Sequence, residues 1–137
     1  MIDPSVEIAR GAVIEVGATG RLEVGAGSLI GRRARIVVGS GGLRLGSGVE
    51  LGQGASIVAL EEVDVEDGVS LGELSVVMDF LAPEEAVEAP LRRQRLVTIP
   101  VRIGRDAAVG EKAVVCAGAV VPAGGRVLAG ATVGRVA

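Results

Sequence analysis

Histidine, asparagine, tryptophan and tyrosine are all absent from this 137-residue chain, and Phe80 is its single aromatic residue. Without histidine there is no imidazole base, no His-ligated zinc site and no Ser-His-Asp or Cys-His machinery. The single cysteine, Cys116, excludes an internal disulfide, so the fold does not depend on an oxidising compartment. Thirteen Arg and one Lys stand against 17 acidic residues, giving a net charge of −3. With no basic excess and no aromatic rings to stack on bases, nucleic-acid binding is not expected. The longest uncharged stretch runs from Ala113 to Gly125, too short to cross a bilayer as a helix. Met1-Ile2-Asp3-Pro4 lacks the basic and apolar regions of a signal peptide, so a soluble cytoplasmic protein is the expectation. GxGxxG and GxxxxGK motifs are missing too, which removes standard dinucleotide and P-loop sites.

What the chain has is aliphatic: 24 Val and 22 Gly, with branched residues recurring every six positions. The series includes IARGAV from Ile8, IGRRAR from Ile30, LGQGAS from Leu51 and IVALEE from Ile57. After a break it resumes with IGRDAA from Ile103, VGEKAV from Val109, VCAGAV from Val115, VPAGGR from Val121 and VLAGAT from Val127. A helix shows apolar spacings of three and four and a plain strand shows two; six fits neither alone. It fits a short strand and a turn, repeated, with the aliphatic inside and a small fifth residue where the backbone bends. Ala12, Ala18, Ala26, Ala34, Ser40, Ala55, Ala107, Ala113, Ala119 and Ala131 fall at that fifth place. Twelve units before the break and six after it predict about six triangular coils, an all-β solenoid occupying residues 1–137 as a single domain. Extra residues after Thr19, Gly27, Gly41 and Glu62 predict bulges at corners, and Glu61 is the poorest fit at a fifth position. Residues 79–102, with Pro83, Pro90 and Pro100, read as one long inserted loop, a length associated with function.

This pattern resembles the hexapeptide-repeat (isoleucine-patch) proteins, whose fold is a left-handed parallel β-helix. The run PVRIGRDAAVGEKAVVCAGAVVPAGGRVLAGATV from Pro100 resembles the closing coils of sugar and small-molecule O-acetyltransferases, which also carry a long loop before an equivalent Pro-Val-x-Ile-Gly. The resemblance implies a homotrimer with acetyl-CoA or another acyl-CoA in a groove between subunits, a small-molecule acceptor and no metal. Carried over by position, the groove wall contains Ala117, Gly118, Ala129, Gly130 and Ala131, and the loop Leu81 to Pro100 approaches the acceptor. The chain departs from that family at three places. The catalytic His expected near Asp79-Phe80 is missing, Ala108 stands where the family has Trp, and the family's C-terminal tail has no counterpart after Ala137.

Asp79, Glu84, Glu85 and Glu88 are the carboxylates available as a substitute base, although an ordinary carboxylate of pKa near ~4 is a weak base at neutral pH. Solvated loop charge is the alternative for all four. Cys116 has no His partner and reads as a structural thiol. Arg92, Arg93 and Arg95 suit a coenzyme or sugar-nucleotide phosphate; pairing with Glu84, Glu85 and Glu88 is the competing explanation. Three functions stay open: an acyl-CoA-dependent acyltransferase, a non-catalytic scaffold or silent partner of an active homologue, and a β-helix that assembles end to end.

Overall fold

The computed structural model describes residues 1–81 and 97–134, and they wind into a left-handed parallel β-helix. The first coil carries β1 (Glu7–Ile8), β2 (Val13–Val16) and β3 (Arg21–Val24), one on each face of a triangular prism. The second repeats this with β4 (Leu29–Ile30), β5 (Arg35–Val38) and β6 (Gly42–Leu45), and the third with β7 (Glu50–Leu51), β8 (Ser56–Ala59) and β9 (Glu62–Val65). In the fourth, β10 (Ser70–Leu71) and β11 (Val76–Met78) are followed by an antiparallel pair, β12 (Phe80–Leu81) with β13 (Val97–Thr98), before β14 (Val101–Ile103) regains the third face. The fifth holds β15 (Ala108–Val109), β16 (Val114–Val115) and β17 (Val120–Val121); β18 (Arg126–Val127) and β19 (Thr132–Val133) supply two sides of a sixth. The faces are parallel sheets of six, six and five strands. Five full coils and two sides of another agree with the coil count expected from the repeat.

Each inward column is in register from coil to coil. Ile14, Ile36, Ile57, Val77, Val115 and Val133 stack on the second face. Ile30, Ile36, Ile57 and Ile103 are wholly buried, so the core is a pile of aliphatic layers that needs no aromatic residue. The corners are closed by Ala34, Ala55, Ala107 and Ala113, all at most 1% exposed, as the fifth-position reading requires.

The reading fails where strands are longer. Ala18, Ala26 and Ser40 are exposed. On the third face β3 turns two residues inward, Leu22 and Val24, so the corner is counted from Val24 and Ser28 takes the buried place. Ser28 manages this because its hydroxyl donates to the Gly46 carbonyl and accepts from the Val49 N–H. The extra residues therefore lengthen strands to four residues as well as loosening corners. The expected loop 79–102 is also too long: Val101 and Arg102 already belong to the solenoid, and Phe80–Leu81 and Val97–Thr98 form its paired base.

Corner residues often need a left-handed backbone, and glycine supplies it at Gly48, Gly54 and Gly68. Arg33, Leu74, Asp106 and Lys112 adopt the same φ near +58° without being glycine. Lys112 is exposed, so Lys112→Gly is expected to relieve strain at no packing cost and stabilise the fold by about 0.5–1 kcal/mol, read as a higher urea midpoint.

Candidate functional site

The edge joining the second and third faces differs from coil to coil, and every departure from six-residue periodicity in the fourth coil is concentrated there. Asp79 occupies the inward position that follows β11, in line with Ala59 of the coil below, and it is 0% exposed. Its carboxylate bends to the neighbouring corner. Oδ1 accepts the Leu60 N–H at 2.9 Å, and Oδ2 accepts those of Glu61 at 2.8 Å and Glu62 at 2.7 Å. An acid among aliphatic positions is paid for by three charge-assisted hydrogen bonds to amides that the corner leaves without strand partners.

The same edge anchors the insertion. The Asp79 carbonyl accepts the Ile99 N–H at 2.9 Å, and the Ile99 carbonyl accepts the Gly118 N–H at 3.1 Å. The Thr98 hydroxyl donates to the Glu61 carboxylate. The two roots of the insertion are thus held between the corner of the third coil and that of the fifth. As a base candidate Asp79 has both oxygens engaged by backbone donors and no exposed surface. Glu84, Glu85 and Glu88, and with them Arg92, Arg93 and Arg95, lie outside the described residues.

The five small residues expected in one groove wall separate onto two edges. Ala117 and Gly118 sit at the edge between the second and third faces, beside the insertion. Ala129, Gly130 and Ala131 sit between the first and second faces. Ala117 is wholly buried at its corner without belonging to the core cluster, and Ala131 is half-buried against the core; Ala129 and Gly130 are exposed. Gly118 and Gly130 both have φ above +70°, and their N–H groups are bonded to the Ile99 and Glu111 carbonyls. Both edges border the second face, so one ligand touches both sets only across that face or across a boundary between two copies.

The outward side of the second face is itself unusual. Val37, Val58 and Met78 form one column and Val76 and Val114 part of the next, where a solvated sheet carries polar side chains. Cys116 continues the first column but is buried, its thiol donating to the Val133 carbonyl at 3.3 Å, which fits a structural role. Sequence reasoning missed this face because each residue reads as ordinary filler in a Val-rich repeat. The alternation within β5 and β8, where Val37 and Val58 flank buried neighbours, was the available signal.

Charge is organised on the third face. Arg102 donates to Glu66 at 3.1 Å, and the Arg105 N–H donates to the other Glu66 oxygen at 3.0 Å. The Arg102 hydrogen bond, and after it the Arg105 amide, holds the Glu66 carboxyl below its ordinary 4.5. A carboxyl lowered in the folded state contributes stability above the ordinary value and loses it as pH falls through the folded one. Glu66→Gln is therefore expected to match the parent at low pH and to be the less stable protein near neutrality. Urea unfolding from pH 3 to pH 7 reads this directly. Among the described residues, no three metal-ligating side chains converge and no helix is long and apolar enough to cross a membrane.

The fold and this edge place the chain among left-handed β-helices with an insertion late in the solenoid. No protein-family profile matches the chain. Over 105 residues it is 30% identical to a probable acetyltransferase of Mycobacterium tuberculosis, an alignment taking in 74% of this chain and 35% of that protein. The chain thus spans little more than a third of that relative's length. Among solved structures, a variant of AntD, an N-acyltransferase from Bacillus cereus in complex with dTDP and coenzyme A, superposes with a TM-score of 0.81. That match covers 96% of this chain and 72% of AntD at 15% identity. A second AntD variant gives 0.68 over 90% of this chain and 73% of its own, at 13% identity. At such identities the likeness establishes the shared β-helix fold.

Proposed function

We propose that this protein transfers an acyl group from an acyl-CoA, acetyl-CoA in the first instance, to a small acceptor. The observation that carries the reading is the 30% identity with a probable acetyltransferase across 74% of the chain, on a fold shared with a CoA-bound N-acyltransferase. The apolar outer side of the second face supports a homotrimer packed side by side. In such a trimer the Ala117–Gly118 edge of one subunit faces the Ala129–Ala131 edge of the next, and small residues on both sides leave space for the pantetheine arm. The described roots of the insertion, at Asp79 and Thr98, border the same edge as Ala117 and Gly118, and Arg92, Arg93 and Arg95 are proposed to serve a phosphate.

The absence of histidine bears on the acceptor. A positioned general base contributes about 10²–10⁴-fold, and a hydroxyl, which holds its proton far too tightly to ionise at neutral pH, depends on it. An amine, with a conjugate acid near ~10.4, is free base only on the order of one part in 10³ at neutral pH, but that form attacks a thioester without a proton first being removed by the protein. The chemistry present therefore favours an amine acceptor over a sugar hydroxyl. The attacking nitrogen forms the amide bond, the carbon–sulfur bond breaks, and the proton released goes to the CoA thiolate or to water.

A second reading is favoured by one specific observation. The chain has no histidine, and both oxygens of Asp79, the buried acid nearest the expected base position, are engaged by amides. A chain of that kind serves equally as a silent subunit beside an active homologue. Calorimetric titration with acetyl-CoA and free CoA, alongside sedimentation, separates the two. Saturable binding at one site per subunit of a trimer, followed by turnover in a screen of amines and alcohols, is the expected result. No binding up to millimolar CoA would sink the enzyme reading.

A further inference from the structure

The outward side of the third face carries a charged groove that acyl transfer does not use. Its columns are in register: Glu23 beside Arg44, Arg44 beside Asp64, Asp64 beside Arg102. In the adjacent column Arg21 and Glu62 flank Gly42. Over Gly42 the surface sinks into a groove of about 440 Å³ whose walls include Arg21, Arg44, Glu61, Glu62 and Asp64.

Gly42 is what makes this a site. It opens β6, paired in register on both sides, where glycine costs stability relative to alanine. Among the described glycines of ordinary φ, each of the others has a neighbour within 3.3 Å of where a Cβ would stand, and most are against backbone. At Gly42 the nearest atom is the Arg21 guanidinium at 3.6 Å, and no left-handed φ is required. Neither geometry nor packing asks for glycine here; only an open floor does. The walls are also unspent. Among the described residues the one ion pair is Arg102 with Glu66, so Arg21, Arg44, Glu62 and Asp64 have no partner of opposite charge within 4 Å. One Asp64 oxygen is buried without a hydrogen-bond donor.

We infer that this groove binds a small zwitterion whose anionic end meets Arg21 and Arg44 and whose ammonium end meets Glu61, Glu62 and Asp64. Its stem crosses the bare backbone of Gly42. The lining carries Arg21 and Arg44 against Glu23, Glu61, Glu62 and Asp64, so a lone anion meets net repulsion and a lone cation leaves both arginines unanswered, whereas opposed ends satisfy both signs. Strands are stacked about 4.8 Å apart, which sets a charge separation of roughly 5–10 Å, one to two rungs. The inference does not rest on acyl-CoA binding.

The probe is 6-aminohexanoate, titrated into the full chain at low salt by calorimetry, with hexanoate and hexylamine as singly charged controls. Saturable binding of the zwitterion alone is expected, weakening with salt and at least tenfold weaker in Gly42→Leu and in Arg21→Ala. Equal binding of either control, or unchanged binding in Gly42→Leu, overturns the proposal. So does a change of sedimentation mass in Gly42→Leu, which makes the face a protein contact. Gly42→Ala is the folding check: its Tm is expected to rise by roughly 2–5 °C, and a fall makes the glycine structural and removes the ground of the inference.

Discussion

Asp79→Ala is expected to destabilise the protein by about 3–4 kcal/mol, among the largest effects available to a single polar residue here. The substitution removes the acceptor of three amide donors at once, those of Leu60, Glu61 and Glu62. Each orphaned donor in a part-buried corner costs on the order of 1 kcal/mol or more, even after some water enters. Asp79→Asn keeps one acceptor oxygen but turns an NH₂ towards an N–H group, and is expected to lose about 2 kcal/mol. Urea unfolding of the three proteins settles the order. A loss below 1 kcal/mol in the alanine variant would show that the corner satisfies its amides by other means. The same variant reports on the site, because Asp79 holds one root of the insertion through its carbonyl. If acetyl-CoA binds at the neighbouring edge, its affinity is expected to fall in Asp79→Ala at temperatures where the solenoid remains folded.

The second large effect distinguishes residues that the repeat treats alike. Ile8 and Ile57 both open a six-residue unit, and both point inward. Ile57 has a coil on each side and is 0% exposed; Ile8, in the first coil, is 50% exposed. Ile57→Ala is expected to cost about 3–4 kcal/mol, combining lost transfer energy with a cavity that stacked β-strands cannot close. Ile8→Ala is expected to cost about 1 kcal/mol or less, since half of that side chain is already in water. Urea midpoints compared at equal m-value test this, and a difference below 1 kcal/mol contradicts the layered core.

Much of the architecture was legible because a six-residue period is a strong local signal. Ile30, Leu51, Ile57, Ile103, Val109 and Val115 open six-residue units, and all are buried. The resemblance to hexapeptide-repeat acyltransferases also anticipated the handedness, which periodicity cannot supply. Errors began where the period broke. Counting six from Leu22 puts Ala26 at the corner, whereas Val24 also turns inward and moves the corner to Ser28. Asp79 looked like a possible base because an acid at an inward position has no partner in a linear pattern. Its three donors lie 17 to 19 positions earlier in the chain and become neighbours only when the coils stack.

The candidate site divides in the same way. Ala117, Gly118, Ala129, Gly130 and Ala131 could be picked out as small residues, yet only the winding shows that they border opposite edges of one face. Gly42 is one of 22 glycines in the sequence, and nothing local separates it from those that a corner requires. Its distinction is an ordinary φ combined with no backbone closer than 3.8 Å to a Cβ, only the Arg21 guanidinium at the edge of the groove, a relation between β3, β6 and β9.

By itself, then, the sequence determined that this chain forms a β solenoid of aliphatic layers without aromatic, disulfide or histidine chemistry, since composition and a period of six are properties of each short segment. Only the tertiary structure decided which acid caps a corner, which glycine opens a groove and which valines face outward. Those are relations between coils about twenty residues apart in sequence and one strand spacing, about 4.8 Å, apart in space.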